Sequence, residues 1–346
     1  MVNDMEQRVM NARKLSFGLW YDFRNPRNSG RSNADVYAAS LEQIAHAEAV
    51  GFDDLWLSEH HFIDDSYSPS MLPIGCAVAA RTKKIRIGTS VLLLPLHDPV
   101  RVAEDAATLD VISNGRLELG LGVGYRVGEF TGFNVSLKER AQRMEEGIEI
   151  IQRLFAGEKF AYAGKHYHYG EIQLTPLPVQ QPPKLWIAGF SKVAVKRAAR
   201  VGYGYIATGP ISPFAKLYWD ELRLAGKDPS QHEVAGGYMW LTVARDPEKR
   251  WHEAKEHFAY QTNLYAQWFK EAGMGVIQPA KAERTSLEER GFYIVEPAKA
   301  VEMIKQYVAE TGTTRWYSWT VPPGLPPSWA NEHIELFAQE VIPAFR

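Results

Sequence analysis

Asp53-Asp54-Leu55-Trp56-Leu57-Ser58-Glu59-His60-His61-Phe62 is an apolar strand that runs directly into a carboxylate and two adjacent imidazoles. Acid–base groups therefore stand at a strand's end. Downstream, Ile85 to Pro95 (IRIGTSVLLLP) reads as a second buried strand and Arg116 to Tyr125 (RLELGLGVGY) as a third with glycines at its exit. Three successive strands thus offer functional groups at their C-terminal ends.

Working outward from this stretch, strands and helices alternate. Leu15 to Trp20 is a short apolar segment, and Asn33 to Val50 follows with apolar residues at helical spacing (Val36, Leu41, Ile44, Ala45, Ala47), closed by Gly51. The same pattern predicts strand Asp54 to Leu57 with helix Met71 to Arg81, strand Ile85 to Leu94 with helix Val100 to Ile112, and strand Leu117 to Leu121 with helix Lys138 to Phe155. It resumes as strand Lys184 to Ala188 with helix Lys192 to Val201, then Gly204 to Thr208 with Pro213 to Ala225. A seventh strand, Gly237 to Val243, precedes helix Pro247 to Ala259, and Arg315 to Thr320 is the eighth, followed by helix Trp329 to Phe337. Eight such repeats favour an α/β fold of the (β/α)8 TIM-barrel type over an open doubly wound sheet. Barrel active sites lie at strand C-termini, so Glu59, His60, Ser90, Gly122 and the Gly189 to Ser191 turn are expected on one face. Two long insertions, Ala156 to Pro183 and Tyr260 to Pro297, read as lids or partly disordered loops.

The chain has 346 residues, 45% of them hydrophobic and 23% charged, ordinary values for a globular protein with a sizeable core. A net charge of -2 without a basic stripe excludes the electrostatic footprint of nucleic-acid binding and favours a small-molecule partner. The one cysteine, Cys76, has no internal partner for a disulfide and sits in an apolar helical run, so it reads as buried and inert. The polar first fourteen residues carry no signal-peptide core, and no run approaches the roughly twenty apolar residues of a membrane span. No membrane association is expected, and the location reads as cytoplasmic.

Glu59, His60 and His61 allow a metal site, acid–base chemistry or structural hydrogen bonding. Adjacent residues at a strand end point in different directions, and no other cluster with ligand spacing stands out, so no metal is expected. A neutral imidazole, with an ordinary pKa near ~6.5, suits proton transfer at neutral pH. Gly120, Gly122 and Gly124 have the wrong spacing for a dinucleotide fingerprint; with Tyr125 beside them they let backbone approach a flat ring. Ser191 reads as an N-cap of the helix from Lys192.

The run GFDDLWLSEHHF, followed by IRIGTSVLLLPLHDPVRVAEDAATLDVISNGRLELGLGVGY and, later, WIAGFSKVAVKRAARVGYGY, resembles the bacterial luciferase-like family of flavin-dependent monooxygenases. The resemblance covers most of the chain, is strongest from Leu15 to Phe155 and fades after about Pro210. It implies one (β/α)8 domain over residues 1–346 with a lid at 260–297. It further implies reduced FMN at the strand C-termini, molecular oxygen as co-substrate, a separate flavin reductase in a two-component system, and a homodimer through the helices of Met71 to Ile112. His60 matches the family's first histidine, implicated in handling a flavin hydroperoxide and its protons; Glu59 and His61 match its neighbours. Thr89-Ser90-Val91 matches a segment with a non-prolyl cis peptide beneath the flavin ring, here Ser90-Val91. The implied site is thus His60 and His61 for catalysis, with Glu59, Ser90, Val91, Gly122, Gly124, Tyr125, Gly189, Phe190 and Ser191 around the cofactor.

The luciferase itself carries a reactive cysteine and a phosphate-binding arginine where this chain has Gly122 and Val123. Arg126 or the Gly189 to Ser191 amides are candidates to compensate. Two other readings follow: a deazaflavin-dependent hydride-transfer oxidoreductase on the same barrel, and a non-catalytic flavin-binding protein. Trp20, Tyr21, Trp240 and Trp319, as pocket walls, would point to an apolar or aromatic substrate. Tyr265, Trp268, Phe269 and Phe292 are the lid residues expected to close over it.

Overall fold

In the computed structural model, which describes residues 14–209, 212–275 and 277–346, eight parallel strands form a closed ring. They are β1 (Ser16–Tyr21), β2 (Asp54–Leu57), β3 (Arg86–Thr89), β4 (Leu117–Gly122), β5 (Lys184–Ala188), β6 (Gly204–Ile206), β7 (Glu233–Ala235) and β8 (Arg315–Trp319). Each pairs with the next, and β8 returns to β1, with Ser16 opposite Arg315 and Trp20 opposite Trp319. The (β/α)8 barrel expected from the alternation is therefore the fold.

Two apolar cores follow from strands buried on both faces. Outward-facing Phe17, Leu19, Leu55, Ile87, Leu119 and Ile187 pack under the helix ring. Trp56, Trp186 and Tyr317 fill the axis, and this inner core continues upward into Tyr265, Trp268 and Phe269 of the helix Pro247–Glu271. Facing glycines make room for the indoles: a Cβ on Gly88 would lie 2.4 Å from the Trp56 ring, and one on Gly204 2.5 Å from that of Trp186. The barrel floor is ionic. Arg315 reaches Asp54 at 2.6 Å and also pairs with Glu118 and Glu233. Burial pushes the Asp54 carboxyl up to about 6, even against the pull of Arg315.

Several expectations need correction. The predicted strand Ile85 to Leu94 is broken, because the chain turns at a cis Ser90–Val91 bond before Leu92–Leu93 pairs beside β4. The seventh barrel strand begins earlier than the predicted Gly237 to Val243, at Glu233–Ala235; the chain then continues beside β8, where Trp240 pairs with Trp319, and Trp240–Val243 pairs on its other side with Phe292–Val295. Ala156 to Pro183 contains an ordered antiparallel hairpin, Phe160–Ala163 with His168–Ile172. Tyr260 to Pro297 is not a loop, since the helix expected to stop at Ala259 runs on to Glu271, buried along Phe258, Gln261, Thr262 and Tyr265. No helix among the described residues is long and apolar enough to cross a membrane.

Candidate active site

A cavity of about 130 Å³ opens at the C-terminal ends of the strands, its floor made by Ser90 and Val91. The ledge is held from below: the Ser90 and Tyr317 hydroxyls are 2.8 Å apart, and Thr208 Oγ1 donates to the Tyr317 oxygen at 3.0 Å. Gly122 backs the same ledge, where a Cβ would come within 2.5 Å of Val91 Cγ2. One wall is the stacked pair Trp20 and Trp319, 3.9 Å between centroids and 3° from parallel. Both indole N–H groups are buried without a hydrogen-bond partner among the described residues.

His60 stands at the rim of this cavity, 6% exposed. Its Nδ1–H donates to Glu129 Oε1 at 2.7 Å, and the same oxygen accepts the His61 backbone N–H at 3.0 Å. A carboxylate can only accept, so this bond puts the ring proton on Nδ1 and leaves Nε2, 3.5 Å from the Tyr125 hydroxyl, as the reactive nitrogen. Tyr67, Tyr125, Tyr265 and Trp268 surround the imidazole edge-on or tilted, with centroids 4.8–5.9 Å away.

Glu59 also lines the cavity, yet its carboxylate is directed to two histidines, accepting from His61 Nε2 at 2.7 Å and His97 Nε2 at 2.8 Å. Burial raises the Glu59 pKa, but His97 and His61 more than offset it and hold the group at about 2. The reciprocal attraction raises His97 despite its burial. These three side chains bring their ligand atoms within 4.8 Å of one another. Their nitrogen–oxygen separations are hydrogen-bond lengths, so two charge-assisted bonds to one oxygen account for the cluster.

The mouth is closed by the helix Pro247–Glu271. Phe269 stacks on Tyr125 at 4.3 Å and meets Phe190 edge-on at 5.1 Å. Tyr265 and Tyr67 share a 2.9 Å hydroxyl contact, while Tyr260 donates to Asp65, which is paired with buried Arg24 at 2.6 Å. Burial pushes nearby Asp22 up to about 7, against the opposing charge of Arg24.

Of the residues singled out from sequence, Glu59, His60, Ser90, Val91, Tyr125, Gly189 and Phe190 line this one cavity. His61, Gly122, Gly124 and Ser191 do not line it. The His61 ring faces Glu59 and Phe133. Ser191 caps the helix Lys192–Val201, its hydroxyl accepting from Ala194 N at 3.3 Å. Arg126 does not line the cavity: its Nη1 donates to the His61 carbonyl at 2.7 Å under the Trp268 ring, while its buried Nε has no partner among the described residues. Trp20 and Trp319 are walls, whereas Tyr21 bonds Gln43 and Trp240 bonds Thr242. Sequence reasoning missed Glu129, His97 and Tyr67. For Glu129 the available signal was an acidic residue in the first turn of Val127–Gly132, just past the glycine-rich strand.

A closed parallel barrel with an aromatic, ledge-floored cavity and a fixed imidazole at its strand tips defines a (β/α)8 protein with a candidate ligand site at the usual end of the barrel. A model of the family described as luciferase-like monooxygenase matches residues 15–304, and the chain belongs to that family. An uncharacterised protein of Sinorhizobium fredii, y4vJ, is 35% identical over 53% of this chain and 52% of its own, so the chain spans about half the length of that relative. The F420-dependent glucose-6-phosphate dehydrogenase of Microbacterium testaceum is 32% identical over 79% of this chain and 87% of its own. The oxygenase component of flavin-dependent trigonelline monooxygenase from Acinetobacter baylyi is 24% identical over 91% of each. In fold, the crystal structure of monooxygenase RslO1 from Streptomyces bottropensis superposes with a TM-score of 0.85 at 24% identity, covering 96% of this chain and 100% of the other.

Proposed function

We propose that this chain is the oxygenase of a two-component system that uses reduced FMN and molecular oxygen to oxidise a small organic substrate, with a separate reductase supplying the flavin. The carrying observation is His60, fixed through Nδ1 by Glu129 and presenting Nε2 at the rim of the Ser90–Val91 ledge. The residues present fit a flat heteroaromatic ring with polar edges: an aromatic wall, two unpartnered indole donors and a close-approach floor. Ser90, Val91, Trp20 and Trp319 would hold the ring, and the Gly189 to Ser191 turn at a ten-residue helix's N-terminus would hold the phosphate. Reduced FMN, when bound, supplies the electrons that activate oxygen.

This chain's own part is threefold. His60 Nε2 takes or gives a proton beside the ring while Glu129 keeps its tautomer and steadies the charged form. Trp268, Phe269 and Tyr265 exclude water, which protects reactive species and strengthens every polar contact inside. The helix Pro247–Glu271 is the moving part. At about 130 Å³ the cavity is below the roughly 300 Å³ of pockets that hold drug-sized ligands, so the Tyr125–Phe269 stack must part on loading. A homodimer through the helices Met71–Arg81 and Pro99–Ser113 belongs to this reading; Val111 and Ile112 on the latter are exposed apolar residues.

F420-dependent hydride transfer is the second reading, favoured by the Microbacterium testaceum relative. Equilibrium binding of reduced FMN and reduced F420 under nitrogen, followed by mixing with air, separates the two. The proposal expects FMN to bind and to be consumed with oxygen; preferential binding of F420 that stays reduced in air overturns it.

A further inference from the structure

A second, larger cavity of about 510 Å³ adjoins the first. It lies between the tips of β6 and β7 and the helix Pro247–Glu271, and three residues, Met239, Tyr265 and Ile277, line both spaces. Met239 is the yielding part of this partition. Its thioether rests on Gly209, a left-handed residue (φ 59°) where a Cβ would lie 2.0 Å from the sulfur, and an unbranched side chain of this kind repacks readily.

The chemistry of the second chamber is specific. Gln261 lines it, is 1% exposed, and has neither its carboxamide nitrogen nor its oxygen paired with any described residue. Thr262, next along the helix and 3% exposed, has an unpaired hydroxyl as well. Buried groups of this sort are nearly always satisfied in folded proteins, and one that is not calls for an explanation such as a ligand. The other walls are aromatic: Tyr238 meets Tyr293 at 5.0 Å and Tyr307 at 5.1 Å, both edge-on. Arg290 is the only cationic lining residue among those described; its Nε donates to the carbonyls of Gln278 and Pro279 and its Nη1 to the Ser286 carbonyl and to Glu289. Glu289 and Glu310 line the chamber too, so its two carboxylates outnumber the one guanidinium and a carboxylate or phosphate meets like charge there.

We infer that this chamber receives the organic substrate, and that Gln261 and Thr262 read an uncharged amide or lactam carried on an aromatic body. A carboxamide offers two donors and an acceptor, and an amide edge matches it with an acceptor and a donor. Displacement of Met239 joins the chamber to the space beside His60. The inference deepens the proposed function and rests on it for the identity of the bound molecule as substrate.

The test is calorimetric titration of the whole protein with benzamide, acetophenone, benzoate and benzamidine, in parallel with FMN. Benzamide is expected to bind about tenfold or more tighter than acetophenone or benzoate, since the ketone leaves a donor–acceptor pair unmade. Gln261→Leu removes both hydrogen bonds that benzamide makes and the one that acetophenone makes, so benzamide should lose more and the gap between them should close, while continued binding of both shows that the chamber is intact. Gln261→Glu should shift preference to benzamidine. Equal affinity for all four probes, or a Gln261→Leu variant with undiminished benzamide binding, overturns the inference. Failure of FMN to bind overturns the proposed function alone, because the amide preference is read without cofactor.

Discussion

Glu129→Gln tests the arrangement around His60 most sharply. The Glu129 side chain is fully buried; Oε1 takes two hydrogen bonds, from His60 Nδ1 and His61 N, and Oε2 has no partner among the described residues. An amide at the same place keeps the volume and one acceptor but removes the charge that steadies a protonated imidazole. A hydrogen bond to a charged group is worth about 1.5 to 3 kcal/mol. If that stabilisation is needed only when His60 carries its extra proton, turnover falls by about 10- to 150-fold. The loss should appear in kcat with little change in KM, because the interaction is made in the transition state and not on substrate binding. The assay is steady-state turnover with a flavin reductase, beside FMN titration and thermal melting of the same variant. A kcat within about twofold of wild type, with the fold intact, would refute the role given to this pair.

Further outcomes follow from individual contacts. His60→Ala is expected to lower turnover by about a hundredfold or more while FMN affinity is largely kept, the scale usual for acid–base groups; unchanged turnover removes His60 from the chemistry. Ser191→Ala removes the cap on Ala194 N and should weaken FMN by about tenfold without changing riboflavin affinity, since only FMN carries the phosphate; equal losses for both ligands would place the phosphate elsewhere. His333 is kept neutral by burial, which lowers it to about 3, and its Nδ1 accepts the Val243 N–H at 3.0 Å. The folded value lies below the unfolded one near ~6.5, so its contribution is whole above that pH and is lost as pH falls toward about 3. Urea unfolding should show roughly 3 kcal/mol less stability from this source at pH 4 than at pH 7, and His333→Gln should flatten that difference; identical pH slopes in the two proteins would contradict it.

The barrel was readable because a strand buried on both faces is a continuous apolar run, and because the helices between strands carry ordinary stop signals, such as Gly51 after Val50. The histidine was readable because it lies on a strand tip, whereas the Ser90–Val91 ledge was legible only through the family resemblance. What escaped was long-range convergence. Glu129 meets His60 across 69 residues and His97 meets Glu59 across 38, and only barrel closure brings such loops together. The start of the seventh strand was missed because Gly236 and Gly237 separate Glu233–Ala235 from the more apolar run Trp240–Val243. The helix through Tyr265 was hidden by its composition: Gln261, Thr262 and Asn263 read as polar loop residues, although two of them face inward.

The most direct test of the whole account is a crystal structure with FMN. It should place the isoalloxazine against Ser90 and Val91, with one edge beside His60 Nε2, the phosphate at the Gly189 to Ser191 turn, and Phe269 displaced from Tyr125. A ring bound outside this cup, or a His60 imidazole turned out of the cavity with flavin present, would contradict it.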